Sequence, residues 1–188
     1  NIKNIQSLQI VLKGRVLEGR LYDPRGSYNT LSSPAIVFFH GGGGVIGSIN
    51  TYDRFCRRLA ITCNIPVICV GYRLAPEHPF PASVDDACDF WEWLQKYGTD
   101  FNINSQKVSV VGDSFGGNLA LAVCLKFSSR VDTYGPSSAV LVYPPVEALP
   151  TSRSRKEFSG ERLLFNDALE WFEEVLFPVT KKNLTNRT

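Results

Sequence analysis

The stretch from Val110 to Ala122, Val-Val-Gly-Asp-Ser-Phe-Gly-Gly-Asn-Leu-Ala-Leu-Ala, constrains this chain more than any other. It reads as a buried strand, a very tight turn and a helix. Ser114 stands at the turn, with Gly112 two residues before it and Gly116 two residues after. That is the G-x-S-x-G spacing of a nucleophile elbow. A serine on so sharp a turn has little room, so small residues must flank it. The turn lifts the hydroxyl off the sheet. The helix that follows aims its first N–H groups at the spot where negative charge would develop. Gly117 thins the helix so that it can lie close to the sheet. Glycine-rich turns of this kind also serve packing or phosphate binding, so the reading needs a second part.

That part lies upstream. Ala35 to Phe39 is a short apolar strand that ends in His40-Gly41-Gly42-Gly43-Gly44. Glycine weakens strands. Four in a row at a strand end instead let backbone N–H groups approach something closely in unusual conformations. His40 is expected to brace this loop through hydrogen bonds and not to act as a base.

Elsewhere the chain alternates. Ser7 to Tyr22 reads as a hairpin turning at Lys13-Gly14, and Asp23 to Pro34 as a turn and polar loop. Thr51 to Thr62 reads as a helix with Tyr52, Phe55, Cys56 and Leu59 inward, and Pro66 to Val70 as a buried strand. Three prolines make Gly71 to Ala82 an extended loop. Ser83 is expected to cap a helix through Tyr97, with Asp85 and Asp86 at its positive end. Gly98 to Gln106 is a turn region, Lys107 to Val111 a strand and Phe115 to Phe127 a helix. Ser138 to Tyr143 is a last apolar strand, followed by a polar linker. Asn166 is expected to cap a final helix, Ala168 to Phe177. Continuous apolar strands separated by helices predict one α/β domain over residues 1–188, with a mostly parallel sheet flanked by helices.

Composition narrows the function. With 188 residues, 44% hydrophobic and 20% charged, the chain can bury a substantial core. Its net charge of +2 argues against a nucleic acid or anionic membrane partner. Arg153, Arg155 and Lys156 form one polar stretch that reads as a solvated loop. The five cysteines, Cys56, Cys63, Cys69, Cys88 and Cys124, are odd in number and lack a C-x-x-C pair. They read as reduced core residues and favour the cytosol. The sequons at Asn183 and Asn186 leave the endoplasmic reticulum lumen open. Two histidines, His40 and His78, are too few for a His-rich metal site. No apolar run is long enough to span a bilayer, so membrane association is not indicated.

In a parallel sheet, the glycine loop and the elbow lie at the same carboxyl edge, where sites form. A serine nucleophile and a loop of backbone donors are two of the parts that acyl transfer needs. Together with Tyr72-Arg73-Leu74-Ala75-Pro76-Glu77-His78, continuing into Pro79-Phe80-Pro81-Ala82, and the elbow Gly112-Asp113-Ser114-Phe115-Gly116-Gly117-Asn118, the His40-Gly41-Gly42-Gly43 loop resembles the hormone-sensitive-lipase-like α/β-hydrolases. That family includes carboxylesterases and arylacetamide deacetylases. The resemblance implies hydrolysis of short or medium acyl esters, or related amides, without a cofactor or metal. It implies Ser114 as nucleophile and an oxyanion hole drawn from Gly41, Gly42, Gly43 and Phe115. It places His78 and Glu77 in a structural segment.

Two positions depart from the family. Gly44 stands where an aromatic residue is frequent, and Phe115 where alanine is usual. They predict a substrate pocket with bulk moved from one wall to the other. A third departure concerns the triad, whose order in this fold is serine, acid, histidine. No histidine follows Ser114. Asp132 and Asp167 read as a loop residue and a helix-start residue. The triad acid and base are therefore expected to be absent, the sheet to lack its C-terminal strands, and the segment alone to be inactive. The lack of any methionine points to a partial form of a longer product. Two other readings stay open: a non-catalytic receptor for a small ligand, as in the gibberellin receptors of similar sequence, and a truncated product without function.

Overall fold

A computed structural model of the chain describes residues 2, 4–25, 32–130, 132–146, 153, 157 and 166–178. The polar run after Arg25, most of the linker after Val146, Arg155, Lys156 and both sequons lie outside the described residues. Arg153 is exposed and pairs with Glu157 at 2.7 Å, as a solvated stretch should.

Strands β1 (Asn4–Leu12) and β2 (Arg15–Asp23) form the expected hairpin. Gly14 turns it with φ of +78°, a conformation that suits glycine. Strand β3 (Ser33–Phe39), helix α1 (Asp53–Cys63), strand β4 (Val67–Gly71) and helix α2 (Ala82–Tyr97) follow. A 3-10 turn (Gly98–Phe101) leads into strand β5 (Ile103–Asp113), then helix α3 (Phe115–Phe127), strand β6 (Ser138–Val142) and helix α4 (Asn166–Leu176).

The sheet runs β1-β2-β4-β3-β5-β6. The hairpin joins β4 antiparallel, and β4, β3, β5 and β6 are parallel. Ala35 to Phe39 are all buried because helices cover both faces of β3. Alternate residues serve different cores. Val37 and Phe39 pack with α2 and α3 through Trp91, Leu94 and Leu119. Ile36 and Phe38 pack with Cys56 and Ala60 of α1.

Four local expectations need correction. Ser83 does not cap α2. Ala82 donates its N–H to Pro79 and Asp85 to Pro81, so the helix is already wound before Ser83. The Ser83 hydroxyl is buried and has no partner among the described residues. Asp85 stands in the first turn of α2 as expected, but Asp86 lies beyond it and is fully buried. Arg15 reaches it at 2.6 Å, and the Arg73 guanidinium and N–H both bond it at 2.8 Å. On α1, Ala60 and not Phe55 completes the buried stripe. Phe55 is 48% exposed, its ring lying 4.9 Å from that of Phe38. Finally, β5 starts four residues early. The Ser33 to Ile103 pairing, reached through a register shift, draws residues 103–106 into the sheet.

Strand β6 pairs with β5 alone among the described residues, and Val140 is 52% exposed on it. Among the described residues it is an apolar edge of the sheet, the kind that other chains can pair with.

Candidate active site

Ser114 joins β5 to α3 with φ of 50° and ψ of −125°, a region L-residues rarely occupy. Its conformation is held from all sides. Its N–H donates to Val142 of β6 at 2.8 Å, and its carbonyl accepts from Gly117 at 2.9 Å. A Cβ on Gly112 would lie 2.1 Å from the Gly116 carbonyl, and one on Gly116 2.1 Å from that of Phe39. No side chain larger than hydrogen fits at either position. The elbow is therefore pressed against the end of β3, where the glycine loop begins.

The loop departs from that strand end through Gly42, Gly43, Gly44 and Gly47, all at positive φ. The Gly42 carbonyl accepts from Val45 and Ile46, which curls the loop back on itself. Among the described residues, the N–H groups of Gly42 and Gly43 donate to nothing. Phe115 opens α3, so its N–H has no intrahelical acceptor. Gly41 differs from the other expected donors. Its N–H is committed to Asp113 Oδ1 at 2.9 Å, because the carboxylate lies directly across from it. Gly41 is thus removed from the candidate anion donors, and Gly42, Gly43 and Phe115 remain.

His40 is the brace the sequence suggested. It is buried between Tyr72, with ring centroids 4.4 Å apart, and Tyr52, at 5.6 Å. Its Nδ1–H donates to the Gly41 carbonyl at 2.8 Å, which fixes the tautomer. The Tyr72 hydroxyl donates to the His40 carbonyl at 2.6 Å. Burial pushes the imidazole pKa down, against smaller opposing pulls from the Gly41 carbonyl and Asp113. His40 is therefore held neutral. Burial likewise raises the pKa of Tyr52, reinforced by its bond to Asp113.

Helix α4 lies over the loop, a placement the sequence did not suggest. A Cβ on Gly43 would lie 2.6 Å from the Phe172 ring. One on Gly44 would lie 2.9 Å from the Phe115 ring and 3.0 Å from Leu176. Phe80 of the proline-rich loop donates its N–H to the Leu176 carbonyl at 2.9 Å and packs on Phe177. The only hint in the sequence was an apolar stripe, Leu169, Phe172, Val175 and Leu176, with no assigned partner.

The other titratable candidates stand apart. His78 and Glu77 are exposed. Asp132 is exposed and pairs with Arg130, and Asp167 is exposed at the start of α4. Among the described residues, no side chain hydrogen-bonds the Ser114 hydroxyl, and no cluster of His, Cys, Asp or Glu is placed to hold a metal. Among the same residues, no helix is long and apolar enough to cross a membrane.

A serine strained between a parallel strand and a helix, beside N–H groups at the next strand end that are unpaired among the described residues, is an elbow arrangement of the α/β class. The chain belongs to the α/β hydrolase fold family, whose model matches residues 36–187. It is 37% identical over 174 residues to an ethyl acetate hydrolase of Pseudomonas putida, covering 93% of this chain and 55% of that protein. It is 39% identical over 145 residues to human arylacetamide deacetylase-like 3, covering 73% of this chain and 34% of that protein. A solved hyperthermophilic esterase from the archaeon Pyrobaculum calidifontis superposes with a TM-score of 0.89 at 36% identity, covering 98% of this chain and 60% of the other. The chain thus spans about half the length, or less, of these curated relatives.

Proposed function

We propose that the protein is a serine carboxylic ester hydrolase acting on short to medium acyl esters, with Ser114 as nucleophile. One observation carries this reading. The strained Ser114 is packed against a loop whose Gly42 and Gly43 N–H groups have no acceptor among the described residues. Both glycines are half-buried, so their N–H groups can meet an oxygen bound beside Ser114. The esterase names of the relatives support the same reading.

In this mechanism Ser114 Oγ attacks the ester carbonyl carbon and its proton passes to a base. The carbonyl oxygen becomes an oxyanion held by the N–H groups of Gly42, Gly43 and Phe115. Collapse expels the alcohol, which takes the proton back, and leaves an acyl group on Ser114. Water then releases the acid by the same route. Neither histidine of the chain suits the base. His40 is locked in its aromatic stack with Nδ1–H committed to the Gly41 carbonyl, and burial makes it a weaker base, while His78 is exposed on the proline-rich loop. Residues 1–188 alone are therefore expected to turn over esters on the order of 10⁴ to 10⁶ times more slowly than a complete triad enzyme.

The test is p-nitrophenyl acetate and butyrate hydrolysis by the product of the complete reading frame, with Ser114→Ala beside it. Turnover that disappears in the variant, and a fluorophosphonate adduct mapped to Ser114, are the expected results. Turnover that survives Ser114→Ala overturns the reading.

A further inference from the structure

We propose that Asp113 is a positioning residue that clamps the glycine loop to the elbow and so sets the spacing between the two halves of the oxyanion hole. The inference rests on the esterase reading above. A G-x-S-x-G turn does not itself require an acid before the serine. Here the carboxylate is bonded on both oxygens. Oδ1 accepts from Gly41 N–H at 2.9 Å, and Oδ2 accepts from the Tyr52 hydroxyl at 2.7 Å. The approach depends on glycine at position 41, where a Cβ would lie 2.6 Å from Oδ2.

The clamp sits at a useful place. Gly42 and Gly43 follow Gly41 by one and two residues, and Phe115 follows Asp113 by two. The Gly41–Asp113 bond therefore ties together the two backbone segments that carry the three free donors. The remaining polar groups of the loop stem are tied as well. The Gly41 carbonyl accepts from His40 Nδ1–H, and the His40 carbonyl accepts from the Tyr72 hydroxyl. Asp113 is the one link in this set that belongs to the elbow. Without it, β3 and β5 still pair, as Phe39 with Gly112, and Gly116 still packs on the end of β3, but no other hydrogen bond among the described residues ties the first loop peptide to the nucleophile turn. Oxyanion donors must sit where the charge develops, so a shift of the loop costs transition-state binding more than substrate binding.

The test uses the product of the complete reading frame. Asp113→Ala is expected to lower kcat about 100-fold, with KM changed less than about threefold, the size seen when an oxyanion donor is lost. Asp113→Asn, whose amide oxygen can still accept from Gly41, is expected to recover at least about tenfold of that loss. Tyr52→Phe keeps the ring and removes one clamp donor, so it reads the same link should Asp113→Ala fail to fold. Its kcat is expected to fall by about threefold to tenfold at similar thermal stability, the share of a supporting bond in a hydrogen-bonded network. Amide exchange at Gly41 gives a readout that needs no turnover. It is expected to quicken at least about tenfold in Asp113→Asn or Tyr52→Phe, as protection by a carboxylate is weakened. If the parent protein hydrolyses no ester, the esterase reading fails, and Gly41 exchange alone decides the clamp. The proposal is overturned by kcat unchanged in both Asp113→Ala and Tyr52→Phe, by a loss confined to KM, or by Gly41 exchange unaffected by both variants.

Discussion

The Phe115 ring occupies the space that a side chain at Gly44 would need, with ring atoms 2.9 Å from where its Cβ would stand. Gly44 also has φ of +75°, so both backbone and neighbour demand glycine there. The exchange of bulk between these positions, inferred from sequence as a change of pocket walls, therefore has a physical basis in contact. Gly44→Ala is expected to destabilise by about 1–3 kcal/mol from backbone strain alone. Phe115→Ala should relieve the crowding part of that cost, so the double variant is expected to be less destabilised than the two single variants summed. Thermal denaturation of the four proteins measures it. Phe115→Ala is also expected to shift the preferred acyl chain to longer esters in the complete product. An unchanged chain-length profile rules out a role for Phe115 in the pocket.

Strain at the nucleophile predicts a stability difference that contacts do not. Ser114→Gly relieves the φ of 50° while Ser114→Ala keeps it. The glycine variant is expected to be more stable than the alanine variant by about 1 kcal/mol, the strain released less the added freedom of the unfolded chain. A glycine variant less stable than the alanine variant by about 0.4–1 kcal/mol would show that the elbow carries no strain.

Asp86 is a fully buried carboxylate, and it holds three separate segments: Arg15 at the hairpin turn, Arg73 after β4, and α2 itself. Asp86→Ala leaves two guanidinium groups without this partner, although Arg15 retains Asp89. The expected loss is about 3–5 kcal/mol, the usual cost of breaking a buried pair from one side. Urea denaturation gives the value. A loss below about 1 kcal/mol would place the pair with ordinary surface bridges.

The depressed His40 pKa makes stability depend on pH in a definite sense. Unfolded His40 binds a proton near pH 6.5, whereas folded His40 binds one only at lower pH. Between these values the unfolded state holds more protons, so stability rises with pH. The contribution is fully present above about pH 6.5 and is lost as pH falls toward the folded value. His40→Gln should therefore lose less thermal stability than the parent on moving from about pH 7.5 to pH 5.5, a span that brackets the free imidazole. Parallel Tm curves for the two proteins contradict the prediction.

The parts of this molecule that could be read in the sequence are those with a local cause. Ala35 to Phe39 is a buried strand because no residue in it tolerates water on either face. Gly112 and Gly116 announce a tight turn because nothing larger fits between them. The parts that escaped were set by partners far along the chain. Asp86 follows Ser83 and Asp85 in what reads as an ordinary helix start, and its burial is explained by Arg15, 71 residues away, together with Arg73 after β4. Gly41 looks like any other member of its glycine run. Its bond to Asp113, 72 residues on, gives it a different task from Gly42 and Gly43. The stripe on α4 has the right period, but period alone does not say that Phe172 and Leu176 will rest on Gly43 and Gly44.

The order of strands carries a consequence for how the protein is made. Val37 of β3 pairs with Val110 of β5, and between them the chain must first complete α1, β4 and α2. During synthesis, the buried strand β3 therefore has one open side until the elbow strand emerges. Pairing over so long a separation is slow, and an open apolar strand is what chaperones bind and aggregates recruit. The contact that brings the glycine loop to the serine is the same contact that closes this open side. Mutations that loosen β5 should for that reason appear first as poor expression yield.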